Sequence, residues 1–294
     1  MPARIAAVVA ALAMVVGALA FRNRQDAGEV ADSQPLALVC TPEVEAICEE
    51  LAKAERPRLE VTIEAAGITH ERLASGQLEP ADLDGWLSPG PWPGIVDDPQ
   101  VRRSRPPRFR KDATLGFTTT IALVRTDRVA PLTARCGQVT WSCVADVAGR
   151  PWSEVSPGAA GFVTPAHEPA NTDAGGLAVF SSVVTSFAAG AEFSAAEIND
   201  DFAPRITTFE RAIPTGAAAA DLVRGFVVRP SQFDIVGALA VDVSRDALAA
   251  ATRIEPVAIQ PVVRVPLVFA SSGGRDGERL LERMRSPGAT RVIR

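Results

Sequence analysis

Residues 168–176 form a polar, glycine-containing segment that could hold a charged or carbonyl oxygen. The segment ends in Gly175-Gly176 and leads into an apolar stretch, Leu177 to Phe187, with the composition of a helix. Small polar residues at a helix start leave backbone N–H groups accessible, and the helix dipole favours negative charge there. Thr41, which follows a short apolar run, starts a second helix in the same way. Either position could instead be a plain helix cap that binds no ligand.

The sequence lacks the common motifs of hydrolases, nucleotide-binding enzymes and zinc proteases. It contains no G-x-S-x-G, S-x-x-K, G-x-x-x-x-G-K-[ST] or H-E-x-x-H. Its two histidines, His70 and His167, are too few for a typical His-based metal site. The acidic groups Asp97-Asp98 and Asn199-Asp-Asp201 lack the spacing of an EF-hand, and we interpret them as solvated loop residues. We therefore expect no enzyme activity, no cofactor and no metal site.

Composition excludes several classes of protein. The chain has 294 residues, 47% of them hydrophobic and 22% charged, which is ordinary for a globular protein and long enough for two domains. Its 30 basic and 35 acidic residues give a net charge of −5. A nucleic-acid binder carries a clustered basic excess, so nucleic acid is not an expected partner.

The N-terminus predicts export. Residues 5–21 are apolar and uncharged and follow Arg4 and the amino terminus, which is the layout of a secretory signal. Ala18-Leu19-Ala20 supplies a small-x-small cleavage pattern, although the run is also just long enough to span a bilayer. We predict that residues 1–21 are a signal peptide or an N-terminal membrane anchor and that 22–34 are a linker. Either outcome places the rest of the chain on the extracellular face of the membrane or in the medium; a buried core helix is the alternative.

The four cysteines form two close pairs. Cys40 lies near Cys48, and Cys136 lies near Cys143. Outside the cytoplasm such pairs are expected to be oxidised. Of the three possible connectivities we predict the local one, Cys40–Cys48 and Cys136–Cys143; the alternative is buried free thiols. Neither pair has the C-x-x-C spacing of redox catalysts.

The first part of the exported chain alternates between strands and helices. Leu36 to Cys40 is a continuous apolar run, typical of a buried parallel strand. Thr41 is a candidate N-cap, with Pro42 at the first position of a helix over 42–55. The elements predicted next are a strand at 59–63, a short helix near 69–76 and a strand at 83–87. This order predicts a parallel sheet covered by helices.

The remainder is less regular. Pro89 to Pro107 contains six prolines, which predicts an extended surface crossing and no regular element. We predict strands at 117–124, 161–164, 225–228 and 262–270, and helices at 140–147, 174–189 and 275–285. Two capping boxes, Ser194 to Glu197 and Ser231 to Asp234, predict two more helix starts. Pro266 makes the last strand an edge or bulged strand.

This order of elements resembles the type II periplasmic-binding fold of bacterial extracellular solute-binding proteins. The resemblance covers about 35–294 and includes membrane-tethered substrate-binding domains of actinobacteria, without their von Willebrand A domain. The motifs that carry it are Leu36-Ala-Leu-Val-Cys-Thr41-Pro42, Asp84-Gly-Trp86-Leu, Gly149-Arg-Pro-Trp152 and Asn171-Thr-Asp-Ala-Gly-Gly176. The last is similar to the Thr/Ser-x-x-Gly turn with which relatives of the sulfate and molybdate binders open a helix of the second lobe.

The resemblance implies an α/β fold of two Rossmann-like lobes joined by two crossing strands, with a ligand bound between them. Carried over to this sequence, lobe one is 35–122 plus 255–294 and lobe two is 123–254. The implied ligand contacts are Thr41, Trp86, Thr118, Thr119 and Thr120 in lobe one, and Asn171, Thr172 and Asp173 in lobe two. Trp86 could instead pack inside its lobe. Cys40-Thr41-Pro42 departs from the serine-rich turn usual at this place.

Two functional hypotheses follow. The first is an exported solute-binding protein that holds a small molecule in the cleft without chemistry and delivers it to an ABC permease. The second is a surface sensory or protein-interaction module on the same scaffold, with a degenerate cleft and a surface protein as partner. The sequence does not specify the ligand.

Overall fold

The computed structural model describes residues 35–53, 58–188, 202–214, 222–243, 253–286 and residue 289. The strands are β1 Leu36–Cys40, β2 Leu59–Ile63, β3 Gly85–Pro89, β4 Lys111–Arg125, β5 Pro165–Ala166, β6 Ile235–Leu239, β7 Ile254–Val257 and β8 Arg264–Ser271. The helices are α1 Glu45–Ala52, α2 Ala66–Ser75, α3 Trp92–Arg102, α4 Thr126–Cys136, α5 Trp141–Val147, α6 Ala174–Phe187, α7 Phe202–Ala212, α8 Leu222–Val228 and α9 Arg275–Met284. The strands join in the order β2–β1–β3–β8–β4–β6–β5, with β7 beside β4.

Lobe one is built on three parallel strands. β1 lies between β2 and β3 and pairs in parallel with both, as the alternation of strands and helices predicts. The apolar run of β1 is buried because α1 and α9 cover its sheet, with Ile47, Leu51 and Leu280 in the same core. The carboxyl ends of β1 and β3 therefore lie side by side at one edge of the sheet.

Two segments cross between the lobes. The first part of β4 pairs with β8 of lobe one, and from Thr120 onward β4 pairs with β6 and β7 of lobe two. The chain returns in the segment between Val257, at the end of β7, and Arg264, at the start of β8. The predicted two-lobed α/β architecture is confirmed, and the residue boundaries of the two lobes stay a prediction.

Lobe two packs helices against β4 and β6. Its core contains the completely buried side chains of Trp141, Trp152 and Phe209. Gly237 in β6 allows a close approach, since a Cβ there would lie 2.5 Å from Val179 of α6. Helix α6 is thereby held against the sheet, with its N-terminus directed at the junction with lobe one.

The proline-rich segment is not the extended crossing that we predicted. Residues 92–102 form α3, which begins directly after the Pro91 position with Pro93 in its first turn. Proline is compatible with the first turn of a helix because the N–H groups there have no intrahelical acceptor. Pro93 has such a position, whereas Pro99 lies inside the helix, so the number of prolines did not predict the structure of this segment.

Two predictions near 225–234 are also wrong. Gly225 to Val228 lies in α8 and not in a strand. Ser231 to Asp234 precedes β6 and does not begin a helix. The Asp234 carboxylate accepts hydrogen bonds from Trp152 Nε1 and from Thr164 N and Oγ1. Asp234 therefore joins segments that are distant in the chain and does not cap a helix.

Two strand predictions are correct only in part, and two other predictions concern residues that the structure does not describe. Gly161 to Thr164 contributes only an isolated bridge between Pro151 and Phe162, and the strand begins at Pro165. β8 is an inner strand of the sheet and not an edge strand, although it contains Pro266. Its pairing with β4 has a register irregularity, which lies between Thr114 and Gly116 of β4. The capping box at 194–197 and the leader and linker over 1–34 lie outside the described residues.

Both predicted disulfides are present. Cys40–Cys48 joins the end of β1 to α1, and Cys136–Cys143 joins the end of α4 to α5. Within the described ranges, none of the helices is both long and apolar enough to cross a bilayer.

The buried carboxylate of Asp234 allows a test of the lobe-two core. Arg125 bonds both to Asp234, which is 5% exposed in its side chain, and to Asp127, which is 55% exposed. Removing one partner of a buried ion pair costs about 3–5 kcal/mol, whereas an exposed pair contributes about 0–1 kcal/mol. In urea unfolding we expect Asp234→Ala to lose the larger amount and Asp127→Ala the smaller. Equal losses would show that burial does not set the energetics of this network.

Candidate functional site

The turn after β1 presents polar groups from lobe one. Thr41 and Glu43 are 0% and 4% exposed, and Thr41 N donates to Leu87 O of β3 at 3.1 Å. Pro42 begins a short 3-10 turn, Pro42–Val44, that leads into α1. The Cys40–Cys48 disulfide encloses this turn. A buried carboxylate is therefore held at the carboxyl edge of the lobe-one sheet.

The facing groups of lobe two come from the start of α6. Asp173 is the N-cap, and its Oδ1 accepts the N–H of Gly176 at 2.7 Å. Any Cβ at position 176 would lie 2.2 Å from the carbonyl oxygen of Glu168, so only glycine permits the preceding loop to fold back on the helix. The Glu168 carboxylate in turn accepts the N–H of Leu222 at 3.0 Å.

The two lobes meet directly at this place. Gly175 N, in the first turn of α6, donates to Glu43 Oε1 at 2.5 Å, and Gly67 N, in the first turn of α2, donates to Thr172 O at 2.8 Å. A Cβ on Gly67 would lie 2.5 Å from the Cα of Thr172. The N–H groups that the sequence assigned to a ligand oxygen are thus occupied by carboxylates of the protein itself.

Three carboxyl groups converge at the junction. One oxygen each from Glu43, Glu168 and Asp173 lies within 4.8 Å of the others. Burial, together with the charge of Asp173, raises the pKa of Glu43 to about 7. Burial, followed by the charge of Glu168, raises the pKa of Asp173 to about 8. Burial also raises the pKa of Glu168. Desolvation penalises the charged form, and each neighbouring carboxylate adds to the penalty.

Several buried polar atoms of lobe one have no hydrogen-bond partner in the protein. They are Thr41 Oγ1, Glu43 Oε2, Trp86 Nε1, Ser88 Oγ and Trp92 Nε1. Ser88 is in β3, next to β1, and Trp92 begins α3 just beyond β3. Leaving a buried polar group unsatisfied costs about 1–3 kcal/mol, so these atoms lower the stability of lobe one unless they gain a partner.

The structure brings together only part of the predicted contact set. Thr41, Asn171, Thr172 and Asp173 lie on the two segments that meet at the junction; the side chains of Asn171 and Thr172 are exposed. Trp86 is completely buried and packs against Phe109 in an apolar cluster.

The three threonines of β4 lie on the crossing strand. Thr118 Oγ1 accepts the N–H of Val241, and the Thr119 carbonyl accepts that of Ala240. The Thr120 hydroxyl donates to Ser182 of α6 at 3.3 Å. Their polar groups connect the crossing strand to lobe two.

Sequence reasoning missed Glu43 and Glu168 as members of the site. In the sequence, Glu43 lies in the first turn of a predicted helix, where an acidic side chain is expected to interact favourably with the dipole of its own helix. It instead meets the N-terminus of α6, 132 positions away along the chain. No local spacing could have shown this pairing.

His167 has a structural environment. Its ring is 5% exposed and stacks on Phe209, with Nδ1 on the carbonyl of Glu168 and Nε2 on Glu210. Both ring nitrogens are therefore used to fix the loop that carries Glu168.

Comparison with known proteins identifies the fold. No protein-family model and no curated protein sequence matches this chain. The periplasmic binding protein AfuA from Actinobacillus pleuropneumoniae, solved with fructose-6-phosphate, is similar at a TM-score of 0.54 and 11% identity, over 87% of this chain and 80% of that one. PEB3 bound to L-phospholactate is similar at 0.52 and 11%, over 88% and 96%. The fold is that of the type II periplasmic binding proteins.

A regulatory domain shares the same architecture. The OxyR2 regulatory domain from Vibrio vulnificus is similar at a TM-score of 0.52 and 8% identity, over 88% of this chain and 96% of that one. At such identities the likeness concerns the fold alone. The solved structures that share this fold thus include both a periplasmic binding protein and a regulatory domain.

The acidic cluster makes stability depend on pH. The pKa of Glu43 rises from 4.5 to about 7 and that of Asp173 from 3.8 to about 8, so the folded state binds more protons than the unfolded chain. Their contribution to stability is complete below about pH 4 and is lost as the pH rises through 7 to 8, at up to about 1.4 kcal/mol per pH unit for each group. We expect urea unfolding, in buffer free of divalent cations, to show stability falling between pH 5 and pH 8.5.

Glu43→Gln and Asp173→Asn should each flatten this pH profile, and asparagine is still able to cap α6. Asp98→Asn, at an exposed position, serves as the control and should leave the profile unchanged. A profile equally steep in all three variants would contradict the assignment.

Gly67 allows a test of the contact between the lobes. Gly67→Ala places a Cβ against the Thr172 backbone, so we expect the lobes to move apart and the radius of gyration from small-angle scattering to increase. Overpacking of this kind costs about 1–3 kcal/mol. Gly94→Ala is the matched control, because Gly94 is also helical and has nothing within 4 Å of its Cβ position. Identical scattering from both variants would exclude a tight contact at Gly67.

Proposed function

We propose that this chain is an exported solute-binding protein that holds a small polar solute between its lobes and leaves the solute's bonds unchanged. The observation that carries the proposal is the set of buried, unpartnered polar atoms at the lobe junction: Thr41 Oγ1, Ser88 Oγ and Trp92 Nε1. They lie at the carboxyl ends of β1 and β3, the edge at which open α/β sheets bind ligands. A solute there would pair groups that the protein leaves unpaired.

The charge of the junction narrows the class of solute. The structures of AfuA and PEB3 contain phosphorylated ligands. In this chain the carboxyl groups of Glu43, Glu168 and Asp173 lie together at the lobe junction, and in their ionised form they would repel a phosphate. We therefore propose a neutral or positively charged solute, such as a sugar, a basic amino acid or a polyamine.

Export is supported by independent features. Two disulfides in a chain of this kind are typical of oxidising compartments. The apolar run over 5–21 has the layout of a secretory leader. Delivery of the solute to an ABC permease is part of the proposal, because binding proteins with this fold commonly supply one.

A second candidate function has its own support. The lobes touch through protein groups alone, Glu43 on Gly175 and Gly67 on Thr172. A cleft closed in this way would suit a surface sensory or protein-interaction module that binds no small molecule. Such a module would show no thermal stabilisation by any solute.

A thermal-shift panel tests the proposal, since a ligand that binds only the native state raises its melting temperature. The panel contains sugars, basic amino acids, polyamines and sugar phosphates. We expect stabilisation by a member of the first three classes and none by the phosphates. If no solute stabilises the protein, the sensory or interaction module is favoured instead.

Thr41→Val then identifies the binding surface. Valine has the shape of threonine without the hydroxyl, so we expect solute affinity to fall by up to about tenfold, the value of one hydrogen bond. The melting temperature without solute should stay the same or rise, because an unpaired group has been removed. Thr118→Val is the control: it removes the acceptor of the Val241 N–H and should lower stability without changing affinity. Unchanged affinity in Thr41→Val would place the solute elsewhere.

A further inference from the structure

We propose that Glu43, Glu168 and Asp173 form a site for a hard divalent cation, Ca²⁺ or Mg²⁺, that bridges the two lobes. One oxygen of each carboxyl group lies within 4.8 Å of the other two. Oxygen ligands lie about 2.3–2.6 Å from Ca²⁺ and about 2.0–2.1 Å from Mg²⁺, so two ligands of one ion are at most about 5 Å apart for Ca²⁺ and about 4 Å apart for Mg²⁺. The three oxygens therefore fit around a single Ca²⁺ with only small movements, whereas Mg²⁺ would require them to move closer together.

Each carboxylate is oriented by the backbone. Glu43 accepts from Gly175 N, Asp173 from Gly176 N and Glu168 from Leu222 N, each through a single named oxygen. A carboxylate has a second oxygen with its own lone pairs. The anchoring bonds thus fix the side chains without using all of their ligand capacity.

Unpartnered buried atoms beside the carboxyl groups point independently to a ligand. Glu43 Oε2 and Thr41 Oγ1 have no hydrogen-bond partner, and their residues are 4% and 0% exposed. The Thr41 hydroxyl lies beside the Glu43 carboxyl group, where it offsets part of the rise in the pKa of Glu43 that burial causes. A cation between them would give both oxygens a partner, and a hydroxyl is an acceptable ligand for a hard ion.

The local charge favours a cation over any other occupant. Among the ion pairs of the described residues, none involves Glu43, Glu168 or Asp173. The N-terminus of α6 offers only about half a positive charge against three carboxyl groups. The donors are all oxygens, which selects Mg²⁺ or Ca²⁺ over zinc or copper. From the sequence we expected no metal site, because two histidines are too few for a typical His-based site and the acidic groups lack EF-hand spacing.

The proposal goes beyond solute binding, but it uses the Thr41 hydroxyl and the three carboxyl groups that the proposed function offers to a solute, so a cation and a basic solute are alternative occupants of this junction. Glu43 belongs to lobe one, whereas Glu168 and Asp173 belong to lobe two. A bound ion would therefore cross-link the lobes and favour their closed arrangement, since a ligand shifts an equilibrium toward the state that binds it better.

Calorimetric titration of the purified chain with CaCl₂ and MgCl₂ tests this, after treatment with a chelator, at pH 8 and constant ionic strength. We expect one equivalent of cation to bind and to raise the melting temperature. Glu43→Gln, Glu168→Gln and Asp173→Asn should each weaken binding by at least about tenfold, because each removes a charged ligand. Glu168→Gln is the principal variant, since Glu168 is the least buried of the three.

Asp98→Asn is the control and should bind the cation like the unaltered chain. Absence of binding up to millimolar cation, or equal binding by all variants, would overturn the proposal. If amines bind through the three carboxyl groups and cations do not, the carboxyl groups belong to the solute site. That result would overturn the cation site and leave the proposed function intact.

Discussion

The meeting of the Glu43 carboxylate with the N-terminus of α6 is the constraint on which the junction depends. It places an acidic side chain of lobe one against the N–H of Gly175 in lobe two, inside a region without solvent. The helix dipole and the hydrogen bond stabilise the carboxylate, while burial and two further carboxyl groups oppose its charge. Favourable and unfavourable electrostatic contributions therefore oppose each other at the junction. Its stability changes when a proton, a cation or a solute changes the charge there.

Local patterns predicted much of the fold. The strand over the apolar run of β1 and the helices predicted at 140–147 and 275–285 follow from residues within a few positions of each other, and the structure has all three elements. The secondary-structure predictions at 92–102 and 225–228 were wrong because they relied on residue composition and ignored where each residue lies within its element. Prolines that fit a first helical turn were counted as helix breakers, and an apolar run was assigned to a strand although it packs as a helix.

The site was predictable only in part, for a related reason. Asp173 was found because an N-cap before two glycines is a local feature. Glu43 and Glu168 acquire their roles by meeting across the lobes, and their separation in the chain hides this. Thr118, Thr119 and Thr120 were placed in the site through family resemblance, and their part in ligand binding stays a prediction. In the structure the Thr118 and Thr120 hydroxyls and the Thr119 carbonyl bond to Val241, Ser182 and Ala240, respectively.

The Cys40–Cys48 bridge has a consequence for when the junction can form. It closes the short loop that contains both Thr41 and Glu43, and a crosslink over such a loop stabilises the fold by about 2–3 kcal/mol. In a reducing compartment the disulfide would not form, and the backbone between Cys40 and Cys48 would sample more conformations. The arrangement of Thr41 and Glu43 would then differ between the reduced and the oxidised chain, so the oxidation state of Cys40 and Cys48 would set how firmly the polar groups of the junction are held in place.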